Sequence, residues 1–394
     1  MANDLTFNQL STVLNSIVSQ ATGKTVAAAV DTSSFVTVGQ TALKCGYDTL
    51  ATSISQVLSK TIFSVRPYNR LFGSLEVGNI QYGNHVRKLT AIDSDWEDDE
   101  SWELTDGQSV DQYEVKKPKV LQTNFYGAEV YDRFMTIYRH QLDQAFSNPD
   151  EFGRFLSMIM QNASDQIEQA HENTARMTVV NFIAGKISAA NAVIHLLTEY
   201  NKLLGLDGTD GKTELTAADL MKPDNFVPFV KWMYARIKTV SDLLRERSQL
   251  YHINVTGQEV SRHTPYNRQK LYMYTQFMNN VDASVMSGVF NDEYLRMQAH
   301  EPVSFWQSIH SPQSINVTPS VLQADGTVKK ASAVNNANVI GVLFDEEAMG
   351  YTVVNQWSSP TPFNAKGGYY NQFWHFTDRY WNDFTENGAV FVLD

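Results

Sequence analysis

Between Asp93 and Asp106 the chain gathers eight carboxylates: Asp93, Asp95, Glu97, Asp98, Asp99, Glu100, Glu103 and Asp106. Carboxylates in such a cluster can hold a hard cation through oxygen or work as an acid–base pair in hydrolysis. A twelve-residue calcium loop begun at Asp93 puts Asp98 where the invariant glycine belongs and Leu104 where the bidentate glutamate belongs, so that pattern fails. The same excursion carries a basic set, with Arg87 and Lys88 on the way out and Lys116, Lys117 and Lys119 on the way back. Like charges so close repel one another, and an opposing surface would fix them in place. The expected role of Asp95, Glu97, Asp98, Asp99 and Glu100, with Arg87, Lys88, Lys116, Lys117 and Lys119, is therefore contact between subunits; a solvated loop tip is the plainer alternative.

Other candidate chemistry falls away on spacing. A phosphate-binding loop ending in Gly211-Lys212-Thr213 needs its first glycine where Leu206 stands, so Gly208 to Thr213 reads as a surface turn. His171-Glu172 lacks the second histidine of a zinc-protease helix, because Ala175 occupies that position, and His300-Glu301 fails in the same way. No Gly-x-Ser-x-Gly elbow is present, and the single cysteine, Cys45, has no histidine near it in sequence. No cofactor or metal is expected. A hydrolase built on the Asp93–Asp106 carboxylates stands as the one enzyme alternative.

The elements around the acidic tip are more informative than the tip. From Phe72 to Tyr126 short extended pieces are punctuated by Gly73, Gly78, Gly83 and Gly107, with Asp106-Gly107 a tight-turn pair. This reads as one long hairpin, and an isolated two-stranded ribbon is marginal in water. It needs a surface to lie on, and a second copy of the chain is the natural supply. A helix then runs from Pro149 to Ala184, with Ser147 or Asn148 as cap, Asp150 and Glu151 in its first turn, and Gly185 as its stop. Phe152, Phe155, Leu156, Ile159, Ala163, Ile167 and Ala170 mark its apolar face. Its 36 residues at 1.5 Å rise span roughly 54 Å, against a radius of gyration of roughly 21 Å for a compact chain of this length.

Elsewhere, Leu10, Val13, Leu14, Ile17 and Val18 predict a helix in an N-terminal arm that covers residues 1–65. A second long helix, Phe226 to Gln249, presents Phe229, Val230, Met233, Ile237, Val240 and Leu244 on one face. Tyr251 to Val255 and Lys270 to Phe277 read as strands, and Val339 to Phe344 as a buried one. The aromatic run Tyr369 to Phe384 reads as a strand buried on both faces. Asn387-Gly388 predicts a hairpin turn joining it to a last strand, Ala389 to Leu393.

Composition sets the outer bounds. A chain of 394 residues with 43% hydrophobic residues can bury a core, and one cysteine excludes a disulfide framework. A formal net charge of -12 argues against a nucleic-acid binder, though not against a protein that surrounds nucleic acid. No signal peptide is recognisable at Met1, and no apolar run reaches the length of a membrane span.

This order of elements resembles the major capsid proteins of tailed double-stranded DNA bacteriophages, which share the Hong Kong 97-type fold. Local sequence is similar to gut- and podovirus-like members at Arg247 to Tyr251, Arg262 to Pro265, Tyr272 to Val281, Val285 to Asn291, Val339 to Asp345, Tyr369 to Trp374 and Asn387 to Phe391. The resemblance implies an α+β fold in five parts. These are an N-terminal arm (1–65), an extended β-hairpin loop lying over the adjacent subunit (66–130), a peripheral domain with a spine helix (131–190), an axial domain (191–338) and a return to the peripheral sheet (339–394). It implies a homo-oligomer of hexamers and pentamers that forms an icosahedral head around packaged double-stranded DNA, assembled in the bacterial cytoplasm and resident in the virion. Scaffolding, portal and decoration proteins are the implied partners, with no membrane; since only 65 residues precede the hairpin, scaffolding is expected from a separate chain. A cellular nanocompartment shell of the same fold is the alternative within the class. Some members cross-link a loop lysine to a neighbour's asparagine, and Lys116, Lys117 and Lys119 lie in the corresponding region.

Overall fold

The structure is a computed structural model and describes residues 7–23, 29–58, 71–78, 85–93, 99, 102–110, 113, 115–209, 212–286 and 300–394. Helices α1 (Phe7–Thr22), α2 (Thr32–Lys44) and α3 (Tyr47–Leu58) come first, followed by strands β1 (Val86–Ala91) and β2 (Val120–Phe125). Strand β3 (Ala128–Tyr138) and helix α4 (Arg139–Ala145) lead into α5 (Pro149–Ser188). Then come β4 (Val193–His195), α6 (Leu196–Leu204), α7 (Ala217–Leu220), α8 (Pro223–Arg245), β5 (Gln269–Tyr274) and α9 (Thr275–Met286). The last part is strand-rich: β6 (Glu301–Val303), β7 (Ile315–Val317), β8 (Ser320–Leu322), β9 (Val328–Lys330) and β10 (Val334–Asn336), then β11 (Val339–Asp345), β12 (Met349–Pro360), β13 (Tyr369–Asn382) and β14 (Gly388–Val392). Among the described residues no helix is long and apolar enough to cross a membrane.

The chain divides into two units. One comprises Met1–Gly83, Ala128–Thr174 and Thr352–Arg379. Its core joins the N-terminal helices to the start of α5. Leu10, Val13, Leu14, Ile17 and Val18, the five residues at helical spacing, are all buried, in one cluster with Phe35, Leu50, Ile54, Phe152, Leu156 and Ile159. Each such side chain withdrawn from water contributes about 1.5–3 kcal/mol, so these helices are integral to a core. Helix α2 starts at a reciprocal cap: Ser34 N donates to Asp31 Oδ1 at 2.7 Å, and Asp31 N donates to Ser34 Oγ at 2.9 Å. Asn148 caps α5, its Oδ1 accepting from Asp150 N at 3.1 Å, and Pro149 follows in the first turn. Strand β3 pairs with β13 antiparallel over Ala128–Tyr138, in a sheet ordered β12-β13-β3. Beneath it, His171 Nδ1 lies 2.7 Å from Asp378 Oδ2, which also accepts from Tyr131 Oη at 2.6 Å. His171 thus serves packing and hydrogen bonding inside the fold, and Glu172 Oε2 accepts from the backbone N–H groups of Leu71 and Phe72.

The other unit comprises Asn84–Gly127, Ala175–Tyr351 and Tyr380–Asp394. Its five-stranded sheet has the order β4-β14-β11-β5-β6. Strand β11 is buried along its whole length, and Phe229, Val230, Met233, Ile237, Val240 and Leu244 all lie on the buried face of α8. The stretch expected as strand Lys270–Phe277 divides at Thr275, where β5 ends and α9 begins. Tyr251–Val255 forms no strand; Val255 makes only an isolated bridge to Gln258.

Two further expectations are overturned at glycines. Gly185 does not stop α5, which runs on to Ser188. A Cβ at Gly185 would lie 2.4 Å from Phe384 Cζ, so the glycine serves close packing against that ring. Asn387-Gly388 does not join β13 to β14 in a hairpin. Strand β14 pairs with β11 and β4, while β13 pairs with β3. Asn387 is fully buried and donates to Thr264 Oγ1 at 3.2 Å; Gly388 leaves room for Phe182, whose Cζ would be 2.8 Å from a Cβ there. The aromatic run is also less buried than its composition suggested: Tyr370, Phe376, Trp381 and Phe384 are buried, whereas Tyr369, Phe373 and Trp374 are half-buried and Tyr380 is exposed.

Candidate assembly interface

The stem of the expected hairpin is present. β1 and β2 pair antiparallel in six consecutive positions, from Val86↔Phe125 to Ala91↔Val120. Burial alternates along β1: Val86, Lys88 and Thr90 are half-buried, while Arg87, Leu89 and Ala91 are exposed. The inward face is mixed, with Lys88, Thr90 and Thr123 beside Val86, Phe125 and the buried Leu121, so the ribbon is seated on its own unit by ions and hydrogen bonds as well as by apolar packing.

Lys88 is the centre of that seat. Its Nζ lies 2.5 Å from Glu386 Oε1, 3.1 Å from Asp383 Oδ2 and 3.2 Å from Glu347 Oε2. Arg262 extends the cluster, with Nη1 at 3.0 Å from Glu386 Oε1, Nε donating to Thr385 O at 3.0 Å, and Nη2 donating to Thr90 Oγ1 at 3.2 Å. Arg268 pairs with Glu346 and Glu347, and Arg247 pairs with Asp93 just beyond β1. Burial works against the Lys88 ammonium, but the charges of Asp383 and Glu386 outweigh it and hold its pKa above the usual value. Glu386 is pushed up by burial more than Lys88 and Arg262 pull it down. Burial also works to raise Glu347, and there Arg268 and Lys88 win and hold it low.

The segment Asp383–Asn387 is thus a buried polar hub. Behind it, His252 Nε2 lies 2.7 Å from Val260 O and its Nδ1 3.1 Å from Asn387 Oδ1; burial depresses the pKa of this imidazole. Lys186, fully buried near the end of α5, donates to Tyr251 O at 2.8 Å and Asn191 Oδ1 at 3.0 Å. Burial pushes its amine down to about 7.

Apolar side chains are also exposed on the ribbon and its tip. Leu89, Leu104, Val110, Val120 and Tyr126 are exposed, and Trp102, Tyr113 and Val115 are 88%, 80% and 78% exposed. Apolar surface concentrated in this way on one excursion marks a contact site. Of the residues expected to meet a neighbour, Arg87, Asp99, Lys116, Lys117 and Lys119 are exposed on the ribbon or its tip, and Lys88 is turned into its own unit. Asp95, Glu97, Asp98 and Glu100 lie outside the described residues. Arg262, Asp383, Glu386 and Glu347 escaped sequence reasoning, although Arg262 sits in a stretch that carries the capsid resemblance.

Residues 13–392 match the family of Phi29-like phage major capsid proteins. The chain belongs to that family. It is the major capsid protein of a phage head, its place is the virion capsid, and it assembles into capsid oligomers. The family is one of structural shell proteins, which displaces the hydrolase and nanocompartment alternatives. Among solved structures, the fold is similar to a chain in the capsid structure of Staphylococcus phage Andhra, with TM-score 0.50, 9% identity, and 82% of this chain and 84% of that one covered. It is also similar to a chain in the structure of head fibre and inner core protein gp22 of native bacteriophage P68, with TM-score 0.54, 10% identity, and coverage of 85% and 87%. These likenesses give this capsid protein the Hong Kong 97-type α+β fold. No curated protein matches it in sequence.

Proposed function

We propose that the ribbon β1–β2 with its tip is the element by which this capsid protein binds the next copy. Copies joined in this way form hexamers and pentamers that close an icosahedral head around double-stranded DNA. The observation that carries the reading is the exposed apolar surface on the ribbon and its tip, on an excursion whose stem is anchored to its own unit through Lys88. A specific interface of standard size buries about 1,600 Å², within reach of a ribbon with these side chains. Arg87, Lys116, Lys117 and Lys119 on the stem, and Asp95, Glu97, Asp98, Asp99 and Glu100 at the tip, pair with opposite charge on neighbours, while Lys88 sets the ribbon's seat. A net charge of -12 suits containment of DNA without base-specific binding.

In the same reading residues 1–65 are the arm, 66–130 the extended loop, 131–190 the peripheral domain, 191–338 the axial domain and 339–394 the return. Scaffolding, portal and decoration proteins are the partners. The test shortens the ribbon while keeping its anchor: residues 89–122 are replaced by an Asn-Gly turn joining Lys88 to Thr123, its cross-strand partner. We expect a folded subunit that yields no closed shells by electron microscopy. Intact shells from this variant refute the role given to the ribbon.

A further inference from the structure

His252 sits behind the Asp383–Asn387 segment with oxygen atoms against both ring nitrogens. Nε2 lies 2.7 Å from Val260 O and 3.1 Å from Asn254 Oδ1, and Nδ1 lies 3.1 Å from Asn387 Oδ1. A backbone carbonyl only accepts, and Asn254 Oδ1 already accepts from Val260 N at 3.1 Å. Nε2 therefore meets these oxygens as a donor. The Asn387 side is oriented by a chain of bonds. Thr264 Oγ1 donates to Asp345 Oδ2 at 2.9 Å, which leaves its oxygen to accept from Asn387 Nδ2 at 3.2 Å and turns Asn387 Oδ1 toward the ring. Only an imidazolium, with two N–H donors, satisfies both sides at once. His252, Thr264, Asp345 and Asn387 are all buried, so an unmet contact here carries the full cost of a stranded polar group.

We infer that His252 and Asn387 form a proton-operated switch between two hydrogen-bond arrangements. With the ring doubly protonated, donation runs from His252 to Asn387, from Asn387 to Thr264 and from Thr264 to Asp345. When Nδ1 gives up its proton to solvent, its lone pair faces Asn387 Oδ1. The carboxamide then turns over, Nδ2 donates to Nδ1, the Thr264 hydroxyl donates to Oδ1, and Asp345 loses that donor. Both ends of the chain bear on the ribbon's seat. Asn387 adjoins Glu386, Asp345 Oδ1 accepts from Glu347 N at 2.9 Å, and both glutamates pair with Lys88. Proton uptake thus ties the seat by one further bond, and proton loss releases it. Burial opposes a cation on the ring, the bonds to Val260 O and Asn387 favour it, and the charges of Lys186 on α5 and of Arg262 oppose it. Asp383 and Glu386 lie in the same segment as Asn387, and Asp345 on β11 is reached through Thr264. The balance places proton uptake below the usual histidine range, so mild acid throws the switch. The switch is independent of what the ribbon binds.

Solid-state NMR of assembled heads with isotope-labelled histidine rings tests this. The protein has nine histidines, and the His252 signals are those missing from His252→Gln. The expected ring carries its proton on Nε2 at neutral pH and gains a second on Nδ1 as pH falls. Thr264→Val removes the Thr264–Asp345 bond from both arrangements and with it the advantage of the protonated one. The midpoint should then fall by about one to two pH units, the worth of one charge-assisted hydrogen bond. Thr264→Ser, which keeps the hydroxyl, should keep the natural midpoint. A midpoint unmoved in Thr264→Val overturns the inference, and so does a neutral ring with its proton on Nδ1. If Thr264→Val does not fold, Asn387→Asp decides: a carboxylate opposite Nδ1 should raise the midpoint, and an unchanged value overturns the inference.

Discussion

The Lys88 ammonium lies 2.5 Å from a carboxylate oxygen of Glu386, and this contact joins the third residue of β1 to the turn before the last strand. The pair is mostly buried and shares its charges with Asp383, Glu347 and Arg262. Removing one member of such a pair costs more than the pair contributes, because a buried charge is left uncompensated. Lys88→Met is therefore expected to destabilise the subunit by about 3 kcal/mol, read as a lowered urea midpoint at pH 7. Adding Glu386→Gln should recover part of the loss. A double variant that loses the sum of both single losses would show that the two residues act independently. The pKa of Lys88 lies above its unfolded value, so this contribution is fully present below about 10.5 and lost as pH rises through the folded value.

Lys186 has the opposite linkage. Its folded pKa is about 7 against 10.5 in the unfolded chain, so between these values the unfolded state binds more protons and stability rises with pH. By 1.36 kcal/mol per unit, the burden at and below neutrality is on the order of 5 kcal/mol. A neutral amine also suits the site, since its two N–H groups match the two acceptors, Tyr251 O and Asn191 Oδ1. Lys186→Met removes the proton linkage but strands those acceptors at about 1–3 kcal/mol. The stability of the variant relative to the natural protein should fall as pH is raised from 7 to 9.5 in chemical denaturation. A difference constant across that range would refute the depressed pKa.

What the sequence revealed was local. The apolar spacing of Leu10 to Val18, the cap and first turn of α5, the buried face of α8 and the apolar run Val339 to Phe344 of β11 each rest on a pattern or cap within one element. What it concealed was decided by residues far away along the chain. Lys88 and Glu386 are separated by 298 positions, so nothing beside either one signals the pair. The glycines misled for the same reason. Gly185 and Gly388 carry the usual signs of a helix stop and a hairpin turn, yet each is glycine because an aromatic ring, Phe384 or Phe182, occupies the space of a side chain. The exposed apolar residues of the ribbon were present in the sequence, but their exposure is a property of the fold.

Gly185 gives a direct check on that packing argument. Alanine is better than glycine in a helix interior by about 1 kcal/mol, so propensity alone predicts a more stable Gly185→Ala. Phe384 predicts the reverse, since a Cβ 2.4 Å from its Cζ forces the ring to move, and overpacking costs about 1–3 kcal/mol. Phe384 is also stacked on Phe182 at 5.4 Å, which restricts its retreat. We expect net destabilisation in thermal melts, relieved when Phe384→Leu is introduced beside Gly185→Ala. A stabilised single variant would mean that the ring yields freely.

The exposed side of the ribbon calls for changes that act on assembly and spare the subunit. Trp102 and Val115 are 88% and 78% exposed, so Trp102→Ser with Val115→Ser should alter subunit stability by no more than about 0.5 kcal/mol. Their burial against a neighbour would contribute several kcal/mol per copy at about 25 cal/mol per Å², so shell yield in sedimentation should drop steeply. Reversing Lys116, Lys117 and Lys119 to glutamate should act differently, weakening assembly mainly at low salt, where screening is least. If the serine pair leaves shell yield intact while the glutamate set abolishes it at every salt concentration, the contact is driven by charge with little apolar burial, and the ribbon's aromatic side chains face solvent in the assembled head.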